Sequence, residues 1–142
     1  MTFQWLDMRI TEEQERRQRE TLVRERLPSA LEEWYGELSA CVDVYRSAFG
    51  PESAEIRLEH PRITVTIREE RDGQWQPRTE VAITTAPKLP GFQIDGCEDP
   101  FTIEIGMLPG HRLFYKSEGQ FLTNEDVTRR ILDRALFPKL GQ

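Results

Sequence analysis

The apolar residues of segment 27–48 recur at alternating spacings of four and three, which is the pattern of one buried face of an α-helix. These residues are Leu27, Leu31, Trp34, Leu38, Cys41, Tyr45 and Ala48. Gly50-Pro51 follows, a pair typical of a helix end, and the apolar period then changes from 3.6 to 2 over about seventy residues. Such alternation is typical of strands that bury one face. The sequence therefore predicts an α+β fold with a long N-terminal helix on an antiparallel sheet of five to six strands.

A second helix is predicted over residues 124–137, packed on one face of the same sheet. Thr123 and Asp126 have the spacing of a capping box, which satisfies free N–H groups at the start of a helix. The buried faces of helices and strands predict a core of Leu31, Trp34, Leu38, Ile63, Val65, Ile67, Val81, Ile83, Ile103, Ile105, Ile131 and Leu132. The other sheet face is predicted to contact water or a partner and carries Thr64, Thr66, Arg68, Thr84 and Glu104.

The first helix is expected to be kinked or restarted at Pro28, because proline removes a helical hydrogen bond and clashes with the carbonyl of Arg24. A capping-box pattern at Thr11 and Gln14 predicts that the helix begins there. Between them, residues 12–26 hold five Glu and five Arg at spacings that favour ion pairs along a helix. This part is therefore predicted to be a helix whose whole surface is polar.

The domain organisation follows from these boundaries. We expect an apolar N-terminal arm over residues 1–10 and a single α+β domain over residues 11–142. Within that domain we predict a polar helix over 11–27, a core helix over 28–49, strands within 54–118 and the last helix over 124–137.

Two features of the N-terminal region favour contact with another protein chain. The apolar arm precedes a very polar helix, and an exposed aromatic residue in such a segment is a typical interface anchor. The polar helix has little to bury, and helices of this kind usually depend on packing against something else. The predicted partner-binding residues are Phe3, Trp5, Leu6, Leu22 and Val23.

The composition argues against several other partners. The net charge is −6, and the first fifty residues and the remainder each carry −3, so a nucleic acid is an unfavourable partner. No segment approaches the ~20 apolar residues of a membrane span, and the N-terminus lacks the pattern of a signal peptide. Two cysteines, Cys41 and Cys97, do not make a disulfide framework and predict free thiols in the cytoplasm.

No known catalytic or metal-binding pattern is present, so neither catalytic residues, a metal site nor a cofactor is predicted. His60 and His111 are not spaced with each other or with a cysteine as metal ligands are. Three acidic residues of one turn, Asp95, Glu98 and Asp99, are typical turn formers, although paired carboxylates can also act in acid–base catalysis.

Three functions remain open at this point. The favoured one is a non-enzymatic protein-binding module, adaptor or chaperone-like, which binds another chain or a second copy of itself as a homodimer. The second is a small enzyme or enzyme subunit with a site near the 95–111 turn region, including His111. The third is a small-molecule sensor with a cavity between helix and sheet, lined by Trp34, Tyr35 and Tyr45.

In size, acidity and order of helix, sheet and helix, the chain is similar to the small acidic chaperones of type III secretion. Those chaperones usually have a helix among the strands, whereas residues 84–100 contain three prolines and leave no room for one. The resemblance is one of shape and assigns no residue a role.

Overall fold

The computed structural model describes residues 3–96 and 99–138. The elements in chain order are helix α1 (Gln4–Phe49), strands β1 (Ala54–Glu59), β2 (Arg62–Arg71), β3 (Gln74–Thr85), β4 (Gly91–Asp95), β5 (Phe101–Leu108), β6 (Arg112–Ser117) and β7 (Gln120–Leu122), and helix α2 (Asn124–Leu136). The predicted α+β architecture is confirmed.

The strands form one antiparallel sheet in which every strand pairs with its neighbours in sequence, in the order β1 to β7. The sheet has seven strands, so the predicted count of five to six is wrong. The missed strand, β7, has only three residues and follows a tight turn at Glu118 and Gly119, both with positive φ. So short a strand shows no measurable alternation in the sequence, and its pairing with β6 defines it instead.

Helix α1 is continuous from Gln4 through Pro28 to Phe49, which corrects the prediction of a start at Thr11 and a restart at Pro28. The arm predicted over residues 1–10 is helical from Gln4 onward, because this segment contains no helix breaker and several good helix formers. The hydroxyl of Thr11 donates to the carbonyl oxygen of Asp7 at 3.1 Å, a bond made within a helix and not at its start.

Both helices pack on the same face of the sheet and share one core. Trp34 lies at its centre, 2 % exposed, with ring centroids 4.8 Å from Phe92 of β4 and 5.4 Å from Tyr115 of β6, both edge-to-face. Edge-to-face rings stabilise beyond the area they bury. All twelve residues predicted for the core are buried, and this prediction is confirmed.

Helix α2 begins as predicted. The amide of Asp126 donates to Oγ1 of Thr123 at 3.1 Å, and the amide of Thr123 donates to Oδ2 of Asp126 at 3.0 Å, which completes the capping box. At the other end of α2, Nη2 of Arg78 in β3 donates to the carbonyl oxygens of Ala135 and Leu136. A guanidinium at the C-terminal carbonyls of a helix is favourable for the helix dipole and fixes α2 to the sheet.

Within residues 3–96 and 99–138, no helix covers the opposite sheet face, which is polar, with Thr64, Thr66, Arg68 and Thr84 half-buried and Glu104 exposed. Toward β7 this face becomes aromatic. The ring of Phe114 lies over Gly106 of the neighbouring strand and 5.4 Å from that of Phe121.

Three turns lie at one end of the sheet, where helix α1 first reaches it: those joining β1 to β2, β3 to β4 and β5 to β6. Arg26 donates to the carbonyl oxygen of His111 in the third turn at 2.8 Å. Oε1 of Glu32 lies 3.2 Å from Nε2 of His60 in the first turn. We call this end of the sheet the entry end.

Candidate functional site

Helix α1 extends well beyond the entry end of the sheet. Val23 is the first residue of the helix that is buried, and residues 4–22 lack any buried side chain. At 1.5 Å per residue, these nineteen residues make a rod of about 28 Å, which we call the helical extension. Its first two turns and the residue before them expose apolar side chains: Phe3, Trp5, Leu6, Met8 and Ile10.

The helical extension is stabilised by ion pairs along its own surface. Arg16 pairs with both Glu13 and Glu20 at 2.8 Å, Arg17 pairs with Glu13 at 3.0 Å, and Arg24 pairs with Glu20 at 2.9 Å. The two arginines beside Glu13 lower the pKa of that carboxyl to about 2, and Arg24 and Arg16 lower the pKa of Glu20. Helices that bury nothing depend on such pairs one turn apart.

Four charged residues of the helical extension continue the face of α1 that packs on the sheet. Starting from buried Val23 and stepping back by three and four residues in turn, the same face carries Glu20, Arg16, Glu13 and Arg9. We call these four residues the charged stripe. It alternates in sign along the rod and faces the space beyond the entry end of the sheet, where α1 no longer covers any strand.

An apolar hollow of about 640 Å³ lies beside α1 where the helix passes the entry end. Leu27, Leu31 and Phe92 form its floor and are each at most 7 % exposed. The other residues around it are Arg24, Pro28, Glu32, His60, Pro61 and Thr85. The hollow and the charged stripe are therefore neighbours on one side of the same helix.

The five predicted partner-binding residues do not share one environment. Phe3, Trp5 and Leu6 lie at the tip of the helical extension, with Trp5 66 % exposed, and Leu22 is 39 % exposed at its base. Val23 is 3 % exposed and belongs to the core of the chain itself. Partner binding by these residues stays a prediction.

The residues considered for an enzymatic site are not brought together. Asp95 ends β4 and Asp99 lies in the turn before β5, whereas His111 lies in the turn after β5. An eight-residue strand separates the two turns, so they lie about 27 Å apart at opposite ends of the sheet. Glu98 and Cys97 lie outside the described residues, and Cys41 is a free, half-buried thiol.

The cavity expected for a sensor is filled by side chains at Trp34, which contacts Phe92 and Tyr115. Tyr45 packs its ring 4.7 Å from Phe49 and 5.9 Å from Phe137. The helix–sheet interface at Trp34 is packed core, whereas Tyr45 is half-buried and contacts two exposed rings.

No group of three or more His, Cys, Asp or Glu side chains among residues 3–96 and 99–138 is arranged to hold a metal ion. No helix in the same ranges is long and apolar enough to cross a membrane.

The charged stripe and the hollow were both missed from the sequence. The stripe could have been found by continuing the three-and-four spacing from Val23 toward the N-terminus. The hollow could not, because it combines residues of α1 with His60 and Phe92 from separate strands and turns of the sheet.

Comparisons with protein families, with curated proteins and with solved structures found no match to this chain.

Proposed function

We propose that this protein is a non-enzymatic protein-binding module, adaptor or chaperone-like, that binds another protein chain through its helical extension. The observation that carries the proposal is a rod of nineteen residues that buries none of its side chains and has an apolar tip. We propose the cytoplasm as its location, because two cysteines without a disulfide framework are typical of proteins in a reducing compartment.

The distribution of exposed apolar groups supports a docking role for the tip. Exposed apolar residues scattered singly over a surface are ordinary, whereas a contiguous group marks an interaction site. Trp5 and Met8 are 66 % and 65 % exposed, two further apolar residues, Leu6 and Ile10, lie within the same two turns of helix, and Phe3 directly precedes them. Tryptophan is also among the residues that contribute most to interface energies.

The ion pairs give the tip a defined geometry. Because Arg16, Arg17 and Arg24 hold Glu13 and Glu20 across successive turns, the rod stays helical without help from the sheet. A preformed helix loses less conformational entropy on binding than a disordered arm would lose.

The test compares the partners retained by the wild-type protein and by a variant with a polar tip. The variant carries Trp5→Gln, Leu6→Gln and Met8→Gln, and the matched control carries Val44→Gln and Phe121→Gln, which are equally exposed apolar residues elsewhere. Each tagged protein is purified from its native lysate at moderate salt, and co-purifying chains are quantified by mass spectrometry. Partners identified in the lysate are then titrated as purified proteins.

The expected result is a stoichiometric partner, either a second chain or another copy of this one, that binds the control and the wild type but not the polar-tip variant. Equal binding by all three proteins would place the interaction elsewhere. No partner at any concentration would overturn the proposal.

A further inference from the structure

We propose that the partner of the helical extension is a second copy of the same chain, paired antiparallel along the charged stripe with its Trp5 directed to the apolar hollow. This inference rests on the proposed function and names its partner. It is carried by the order of charges on the stripe, which is complementary to itself in one orientation only.

In an antiparallel pair with a two-fold axis between residues 14 and 15, residue n of one copy lies level with residue 29 − n of the other. Arg9 then faces Glu20 of the second copy, and Glu13 faces Arg16. Since the pairing is symmetric, all four residues of the stripe meet an opposite charge in both copies. A parallel two-fold pair would instead place every residue opposite itself, so that each contact would join like charges.

Neighbouring antiparallel registers match fewer charges. A shift of seven residues keeps the same face in contact but leaves two of the four stripe residues opposite uncharged positions. In the favoured register, Glu12 of one copy and Arg19 of the other also lie on the flank that antiparallel helices bring together. The stripe and its flank therefore select the same register.

The same register directs Trp5 of one copy to the apolar hollow of the other. It places Trp5 of one copy level with Arg24 of the other, at the entry end of the sheet. Helical side chains tilt toward the N-terminus of their own helix, which in an antiparallel pair is toward Leu27 and Pro28 of the second copy. The hollow lies there, with an apolar floor and Arg24 among the residues around it, and the indole of an incoming tryptophan suits both.

The first test is a matched pair of charge reversals followed by sedimentation. Glu13→Arg places Arg opposite Arg16 of the second copy, whereas Glu15→Arg makes the same change in charge on the opposite side of the helix. We expect the wild type and Glu15→Arg to form dimers at about 50 mM NaCl, and Glu13→Arg to weaken the dimer by roughly tenfold or more. Raising the salt to about 500 mM should weaken the wild-type dimer in the same direction.

The second test separates pairing from helix fraying. An acidic-stripe variant carries Arg9→Glu and Arg16→Glu, and a basic-stripe variant carries Glu13→Arg and Glu20→Arg. Each should be monomeric alone, because its stripe would meet like charge, and the two should form a heterodimer when mixed. If the mixture stays monomeric, pairing along the stripe is refuted.

The third test fixes the orientation. With both native cysteines changed to Ala, Glu13→Cys in one sample and Arg16→Cys in another should form an intermolecular disulfide on mixing and oxidation, since facing positions come within the reach of a disulfide. A dominant disulfide in the Glu13→Cys sample alone would show a parallel pair and overturn the register. Trp5→Ala should also weaken the dimer more than Met8→Ala, because Met8 is equally exposed but lies level with Thr21 of the second copy, short of the hollow.

The outcomes distinguish this inference from the proposed function. A monomeric wild type that binds a different protein through its tip would refute self-pairing and support the protein-binding module. A monomeric wild type that binds nothing would refute both.

Discussion

Trp34→Ala tests whether α1 is packed on the sheet as a solid core or lies over a binding cavity. The side chain is 2 % exposed and contacts the rings of Phe92 and Tyr115 at centroid distances of 4.8 Å and 5.4 Å. Removing a buried tryptophan costs about 3–5 kcal/mol, and each edge-to-face ring pair is worth about 0.5–1.5 kcal/mol beyond buried area. With two such pairs lost, we expect a loss near the upper end, about 4–5 kcal/mol.

That loss is a large part of the ~5–15 kcal/mol by which a domain of this size is stable. The measurement is urea unfolding of wild type and variant, followed by far-UV circular dichroism, with the slope of the transition compared between them. Trp75→Ala is the control, because Trp75 is a half-buried tryptophan outside the core cluster and should cost about 1–2 kcal/mol or less. A loss below about 1.5 kcal/mol for Trp34→Ala, at unchanged slope, would refute the packed interface and revive the sensor hypothesis.

Three further predictions concern single positions. The pKa of Glu13 is lowered to about 2 by Arg16 and Arg17, so the contribution of Glu13 to the stability of the helical extension should be complete above its ordinary pKa near 4.5. Helicity should then fall between about pH 4.5 and 2. A fall already complete at about pH 5 would contradict the ion-pair account. Gly96→Ala should disrupt the pairing of β3 with β4, because a Cβ there would collide with the carbonyl oxygen of Glu80 and φ is +96°; an unchanged thermal unfolding midpoint would contradict this. Thr123→Ala should destabilise the protein by about 1 kcal/mol in urea unfolding through loss of the α2 cap, whereas Thr123→Ser should not, and equal losses in both would show that the hydroxyl is not responsible.

The sheet and its core could be read from the sequence because burial and periodicity coincide there. Ile63, Val65 and Ile67 alternate with half-buried residues and are each fully buried in β2. The capping box at Thr123 was also predicted correctly, since the reciprocal hydrogen bonds involve only residues three apart.

The start of α1 could not be read in the same way. The pattern at Thr11 and Gln14 resembles a cap, but a hydroxyl inside a helix can bond the preceding turn instead, and Thr11 bonds Asp7. Whether the Thr11 hydroxyl caps a helix or bonds the preceding turn depends on whether the residues before Thr11 are themselves helical. Their helix propensity and the ion pairs that follow extend the helix, and neither is visible as amphipathic periodicity.

The candidate site was predicted in part. The exposed apolar residues Phe3, Trp5 and Leu6 were identified, whereas the burial of Val23 depends on where the sheet ends beneath the helix. That position is set by the lengths of the strands and the turns at the entry end. No local pattern in the sequence shows where the sheet ends beneath the helix.

The sequential order of the strands has a consequence for how the chain is synthesised. Each hairpin can form as soon as its second strand leaves the ribosome, since its partner is always the strand made just before. Trp34 is different, because its ring partner Tyr115 follows it by 81 residues. At about 5–20 residues per second, a tryptophan that ends in the centre of the core waits roughly 4 to 16 s for the second of its two ring partners. Over that interval the amphipathic half of α1 exposes an apolar surface on the nascent chain.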